Sequence, residues 1–200
     1  MAVRNCSGSY RIWHRARWFA ALASLFLAWL PVLAKGTDKQ QKQQKVRQMS
    51  QDILQRLYKA QPGAKERIAQ SAGYAVFSNL GVKILVAGSG NGKGIAVNNR
   101  TKQETFMKML EVQAGLGFGV KKFSVIFVFA EESGLSTFIG SGWDFGGQST
   151  TAVKAGSNGG ALQGAISVSP GVWVYQLTDS GLALELTAKG TKYYKDGALN

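Results

Sequence analysis

Residues 72–97 read AGYAVFSNLGVKILVAGSGNGKGIAV, and few architectures accommodate such a stretch. Residues 82–87 and 95–97 are apolar and rich in β-branched side chains, which favours strands, and GSGNGKG lies between them. A run holding Gly88, Gly90, Gly92 and Gly94 can take positive φ almost anywhere, so it predicts a tight or bulged hairpin. The chain carries 25 glycines against 3 prolines, without the every-third-residue spacing of collagen. Glycine therefore serves turns, bulges and bare strand faces here.

Strand signals continue downstream. Between residues 106 and 120 the alternation is nearly strict: Phe106, Leu110, Val112, Ala114, Leu116, Phe118 and Val120 share one face, interrupted by Lys108. Met107, Met109, Glu111, Gln113, Gly115, Gly117 and Gly119 share the other. Such a length predicts a strand with a bend or bulge, and the glycines predict a sharply coiled sheet. Lys121-Lys122 read as a turn, and FSVIFVFA (residues 123–130) as a central strand covered on both faces. Residues 131–142 suggest one helical turn, 143–154 a further strand and 156–160 a loop. VWVYQLT (172–178), Asp179-Ser180-Gly181 and residues 182–186 make the clearest hairpin, with 187–194 prolonging its second strand. Seven or eight antiparallel strands are expected, and no βαβ alternation appears. The expected class is α+β: N-terminal amphipathic helices packed on a predominantly antiparallel, strongly coiled β-sheet or partly closed barrel.

The helices precede the sheet. Val46, Met49, Ile53 and Leu57 recur at helical spacing, widened by Leu54 and Tyr58, and Gln61-Pro62-Gly63 ends the run. A second short helix over 64–71 points Ile68 inward. Upstream, residues 35–48 are Gln/Lys-rich and read as a flexible polar arm. Arg4, Arg11, Arg15 and Arg17 precede an apolar run at 18–30, then Pro31, which ends any helix, and Val32-Leu33-Ala34. That is the pattern of a cleaved signal peptide over 1–34, leaving a periplasmic chain. Residues 18–34 barely reach the length needed to span a bilayer, and Lys35 stands where a lipoprotein signal needs cysteine.

The composition excludes much chemistry. Cys6 is the only cysteine and His14 the only histidine, both inside that leader. A chain starting at Lys35 has no disulfide, no thiolate or imidazole, and no Cys/His zinc site. No cofactor and no metal is expected. Residues 87–94 fail as a phosphate loop: Ala87 replaces the first glycine, Gly94 replaces the Ser/Thr, and a strand follows where a helix is needed. Residues 155–159 fail as a nucleophile elbow, with Ala155 at the first glycine and no base. Glu111, Glu131, Glu132 and Asp144 remain as carboxylates, but a glycosidase needs two across a cleft. We expect no enzyme, no nucleotide and no nucleic-acid partner. An eight-stranded outer-membrane barrel fits the length but not the amphipathic helix or the glycine run.

Charge points elsewhere. The formal charge is +13, and with four arginines and no acids in 1–34 the remainder carries +9. Lys45, Arg47, Arg56, Lys59, Lys65 and Arg67 lie within the two helices beside the apolar stripe. Such a balance favours acidic partners, an anionic membrane surface among them.

AGYAVF (72–77), the glycine hairpin through Gly94, VQAGLGFG (112–119), VIFVF (125–129), GLALELTAKG (181–190) and Lys192-Tyr193-Tyr194 follow in an order and spacing that resembles the SYLF lipid-binding domain. The likeness covers residues 50–196; with the stripe from Met49 it sets the domain at 49–200. NNRTKQETFMKM and Val82-Lys83-Ile84 depart from the family pattern. The resemblance implies binding of anionic phospholipid through the basic N-terminal part, with Lys45, Arg47, Arg56, Lys59, Lys65 and Arg67 as site candidates. The alternative is a structural or interaction module for another envelope component.

Overall fold

The computed structural model describes residues 30–84, 87–114, 119–145, 164–179, 181–183 and 190–200. The chain divides into two compact units, Met1–Gln41 and Lys42–Asn200. The described residues of the first belong to helix α1 (Leu30–Ala60), which runs on into the second. Residues 35–48, expected as a flexible arm, are helical instead. Gln and Lys are straight-chain side chains that lose little freedom in a helix. Pro31, expected to end a helix, is instead the second residue of α1, a first-turn position where a missing N–H and a fixed φ are tolerated. Of the leader expected at 1–34, residues 1–29 lie outside the described residues. No described helix is long and apolar enough to cross a membrane.

In the second unit α1 breaks at Pro62, and α2 (Gly63–Gln70) follows with Ala64 and Ile68 buried. The strands are β1 (Gly73–Ile84), β2 (Ala87–Asn98), β3 (Glu104–Ala114) and β4 (Gly119–Phe129), then β5 (Trp143–Phe145) after helix α3 (Glu132–Ser141). Next come β6 (Ile166–Ser169), β7 (Val172–Thr178), β8 (Gly181–Ala183) and β9 (Thr191–Lys195). They form one antiparallel sheet in the order β5-β9-β3-β2-β1-β4-β7-β6, with β8 also on β7. This is the expected α+β class, helices on a strongly curled, partly closed sheet. Trp143 from one end of the strand order and Ile166 from the other pack into the same core.

Period-two alternation gives the sheet two different faces. Inward, Ala75, Phe77, Met107, Met109, Phe123, Val125, Phe127, Phe129 and Tyr193 meet Leu135 and Phe138 of α3. Phe138 lies 5.1 Å from both Phe127 and Phe129 and 5.8 Å from Tyr193, ring centroid to centroid, so α3 fills the curl with an aromatic plug. Outward, Val76, Ile126, Val128, Tyr175 and Leu177 lie under Ile53, Leu54, Leu57 and Ile68. The helical stripe expected from sequence is the surface that docks there, and β4 is the central strand covered on both sides.

The glycine run differs from expectation. It is not a hairpin loop but the body of β2, paired from Ile84↔Ala87 to Gly73↔Asn98. Its inward positions are bare because neighbours fill them. A Cβ at Gly94 would run into the Phe77 ring, and one at Gly92 would lie 2.7 Å from the Ser78 carbonyl oxygen and 3.1 Å from Met109 Cβ. Likewise Lys121-Lys122 sit within β4 rather than in a turn, and 132–141 is a full helix rather than one turn. The hairpin of β7 and β8 forms as expected, with Leu177 opposite Leu182. Of its expected second strand and the segment expected to prolong it, residues 184–189 lie outside the described residues, and β9 pairs with β3 and β5. Residues 146–163, with the rest of the expected 143–154 strand and the 156–160 loop, lie outside the described residues.

This packing predicts opposite outcomes for two glycine-to-alanine changes. Gly94→Ala should lower urea stability by about 1–3 kcal/mol or more, as overpacking does. Gly140→Ala, in α3 with no atom within 4 Å of the new Cβ, should raise it by up to about 1 kcal/mol. Equal denaturation midpoints for both variants would contradict the bare inward face of β2.

Candidate functional site

The six cations singled out from sequence do not share one setting. Arg47 Nε donates to the Glu104 carboxylate at 2.7 Å, and its guanidinium carbon lies 5.2 Å from the Phe106 ring centroid. Arg56 Nη2 donates to the Thr178 carbonyl at 2.9 Å. Lys59 and Lys65 are exposed. Lys45 and Arg67 border cavities, and these are different ones.

Arg67 stands at the rim of a cleft of about 270 Å³ between α2 and the outer face of β4 and β7. Its Nη1 donates to the Tyr175 hydroxyl at 3.5 Å. Gln70 and Ser71 share the rim, while Val128, Ala165, Trp173 and Tyr175 form the walls. The arrangement follows from local rules: α2 keeps Ala64 and Ile68 on the sheet, and Arg67, with Gln70 and Ser71 three and four residues after it, lies along the edge of that contact. Trp173 and Tyr175 reach the same face because they stand two residues apart on β7. A half-buried guanidinium above an apolar, aromatic wall can hold a molecule that is anionic at one end and greasy at the other.

Lys45 borders a second cavity, of about 260 Å³, with Lys42, Lys93 and Ser78 around it and Val46 and Met49 beneath. Ser78 and Lys93 are direct partners across β1 and β2, so the sheet supplies one side and α1 the other. A third cavity, of about 430 Å³, lies where α3, Trp143 and the Pro170 turn meet. Sequence reasoning missed Trp173 and Tyr175, whose i, i+2 spacing was read only as hairpin structure. It also missed Lys93, considered only within a failed phosphate loop.

Of the four carboxylates weighed for catalysis, Glu111 alone is fully buried. Glu132 pairs with Arg100 on the surface, and Glu131 and Asp144 are exposed. Glu111 accepts from Asn79 Nδ2, and the two side chains occupy the space a Cβ at Gly90 would need. Thr191, opposite Glu111, and Tyr193 complete this buried polar group. Among the described residues Asn79 Oδ1, Thr191 Oγ1 and the Tyr193 hydroxyl have no hydrogen-bond partner. Burial pushes the Tyr193 hydroxyl far above the usual phenol range, and the nearby Glu111 adds to the rise. Burial raises Tyr58 and Tyr74 as well, helped by Tyr74 and Glu104 respectively. No group of three or more Asp, Glu, His or Cys fit to hold a metal occurs among the described residues.

No protein-family model matches the chain. Over 148 residues, 74% of its length, it is 30% identical to Beta cell expansion factor A of Aeromonas veronii. The match covers 55% of that protein, so the chain spans about half the length of this curated relative.

The buried tyrosine sets a pH dependence. Unfolded, Tyr193 ionises near pH 10; folded, it resists ionisation well beyond that. Its contribution to stability is complete below about pH 10 and is lost as the pH rises further. Tyr193→Phe should therefore show a shallower fall in Tm above pH 10 than the parent, with little change at neutral pH. Parallel alkaline slopes would contradict the burial.

Proposed function

We propose that the chain is a non-enzymatic lipid-binding module of SYLF type, delivered to the periplasm and binding anionic phospholipid. The observation that carries this reading is the Arg67 cleft. A phosphodiester needs a charge-assisted donor, and a guanidinium carries five N–H groups, of which Arg67 directs one at the Tyr175 hydroxyl. An acyl chain needs apolar surface removed from water, gaining about 25 cal/mol for each Å² covered. Arg67 and the Val128–Trp173–Tyr175 wall offer both within one cleft. The +9 balance beyond residue 34 supports the preference for an anionic over a zwitterionic membrane. The basic and apolar leader pattern supports export.

Co-sedimentation with vesicles tests the reading. The chain should pellet with phosphatidylglycerol vesicles at low salt, release as salt rises, and leave phosphatidylcholine vesicles largely unbound. Arg67→Gln should weaken binding about fivefold, since one basic residue near such a surface contributes about 1 kcal/mol. Failure of the folded parent to pellet at low salt would remove the lipid reading and leave an interaction module for another envelope component.

A further inference from the structure

The outward row of β3 passes from covered to bare. Phe106 is buried with Val46 of α1 and Leu199, whereas Leu110 and Val112, further along the same row, are 37% and 60% exposed. β1 repeats the pattern, with Val76 buried under the helices and Leu80 55% exposed. Strand register puts these side chains in line. Leu80 faces Asn91 across β1 and β2, and Asn91 faces Leu110 across β2 and β3. Adjacent strands lie about 4.8 Å apart, so the two leucines stand about 10 Å apart on one face. Scattered exposed apolar residues need no explanation, but an aligned set on neighbouring strands does.

Charge frames that set. Lys122 is the cross-strand partner of Leu80, and Lys192 is the partner of Leu110. The row therefore reads lysine, leucine, asparagine, leucine, lysine across five strands, with the exposed Asp144 opposite Lys192 as its one acid. One step towards α1, the next row holds Ser78, Lys93 and Lys108, then the exposed Tyr194. Lys108 is held by Asp196 at 2.9 Å, while Ser78 and Lys93 open into the cavity that Lys45 borders. An apolar centre, flanking lysines and a tyrosine at the margin match a bilayer interface: the leucines enter the headgroup boundary and the lysine stems reach back to phosphate.

We propose that this outer face of β1–β2–β3 is the surface that lies on an anionic bilayer, with the Lys45–Lys93–Ser78 cavity receiving a headgroup phosphate. The proposal rests on the lipid reading above and adds to the Arg67 cleft a second contact, towards the other end of the outer face. The membrane is met by the bare end of the sheet, not by the apolar stripe of α1, which is spent on the core.

The test uses the full chain in a Cys6→Ser background with phosphatidylglycerol vesicles at low salt. Leu80→Asp/Val112→Asp, both at solvent-facing positions, should keep the parent's circular dichroism and bind at least about tenfold more weakly. An environment-sensitive dye on Val112→Cys should shift to the blue on adding vesicles, while the same dye on Thr137→Cys in α3 stays unchanged. The dye measurement decides the matter if the double variant fails to fold. Parent binding with a silent dye at position 112, or undiminished binding by the folded double variant, overturns this second contact and leaves the lipid reading intact. No binding by the parent overturns both. A dimer in solution that the double variant abolishes would assign the face to a second copy of the chain and overturn the proposal.

Discussion

Everything in the second unit depends on the bare inward side of β2. Gly90, Gly92 and Gly94 leave a groove along the inside of the sheet, and Phe77, Met109 and the Asn79–Glu111 pair lie in it. With side chains at those positions, β1 and β3 could not lean towards each other over β2. The sheet would flatten, and Phe138 would lose the aromatic nest it fills. Curl, plug and buried polar group are consequences of one strand that gives up its side chains on one face.

That arrangement fixes what remains outside. The inner face is filled by aromatics and α3, with the third cavity at its margin, and the remaining open surface is the outer face and its edges. There α1 and α2 cover only part of the sheet. Where α2 ends, Arg67 meets Trp173 and Tyr175; beside Val46 and Met49 of α1, Lys45 meets Lys93 and Ser78. Both cavities combine a cation with apolar lining because both lie where a helix's buried stripe gives way to its wet side.

Much of this was legible in the sequence. The stripe Val46–Ile53–Leu57, the Pro62 break, the fully covered 123–129 strand and the turn at Asp179 follow from periodicity and turn chemistry, which are local. The glycine run was misread because glycine in a loop and glycine facing a neighbour's phenylalanine look alike until the neighbour is known. The alternation of β3 was legible, but not which row faces in. Met107, Met109 and Glu111 go inside, and the more apolar row holding Leu110 and Val112 is left partly bare. The glycines of β2 and the aromatics around α3 receive the inward row, and neither neighbour is visible from the spacing of β3 itself. Among the candidate cations, sequence proximity grouped six residues, whereas tertiary contacts commit Arg47 and Arg56 to Glu104 and Thr178. Lys93 pairs with Ser78 across β1 and β2 and meets Lys45 through the docking of α1 on the sheet, which no helical spacing could reveal.

An anionic lipid should be retained selectively by the folded chain. Native mass spectrometry of the folded chain, mixed with equal amounts of phosphatidylglycerol and phosphatidylcholine, measures it directly. An adduct of one phosphatidylglycerol per chain should dominate the spectrum. A spectrum of bare protein, or equal uptake of the two lipids, would contradict selective retention.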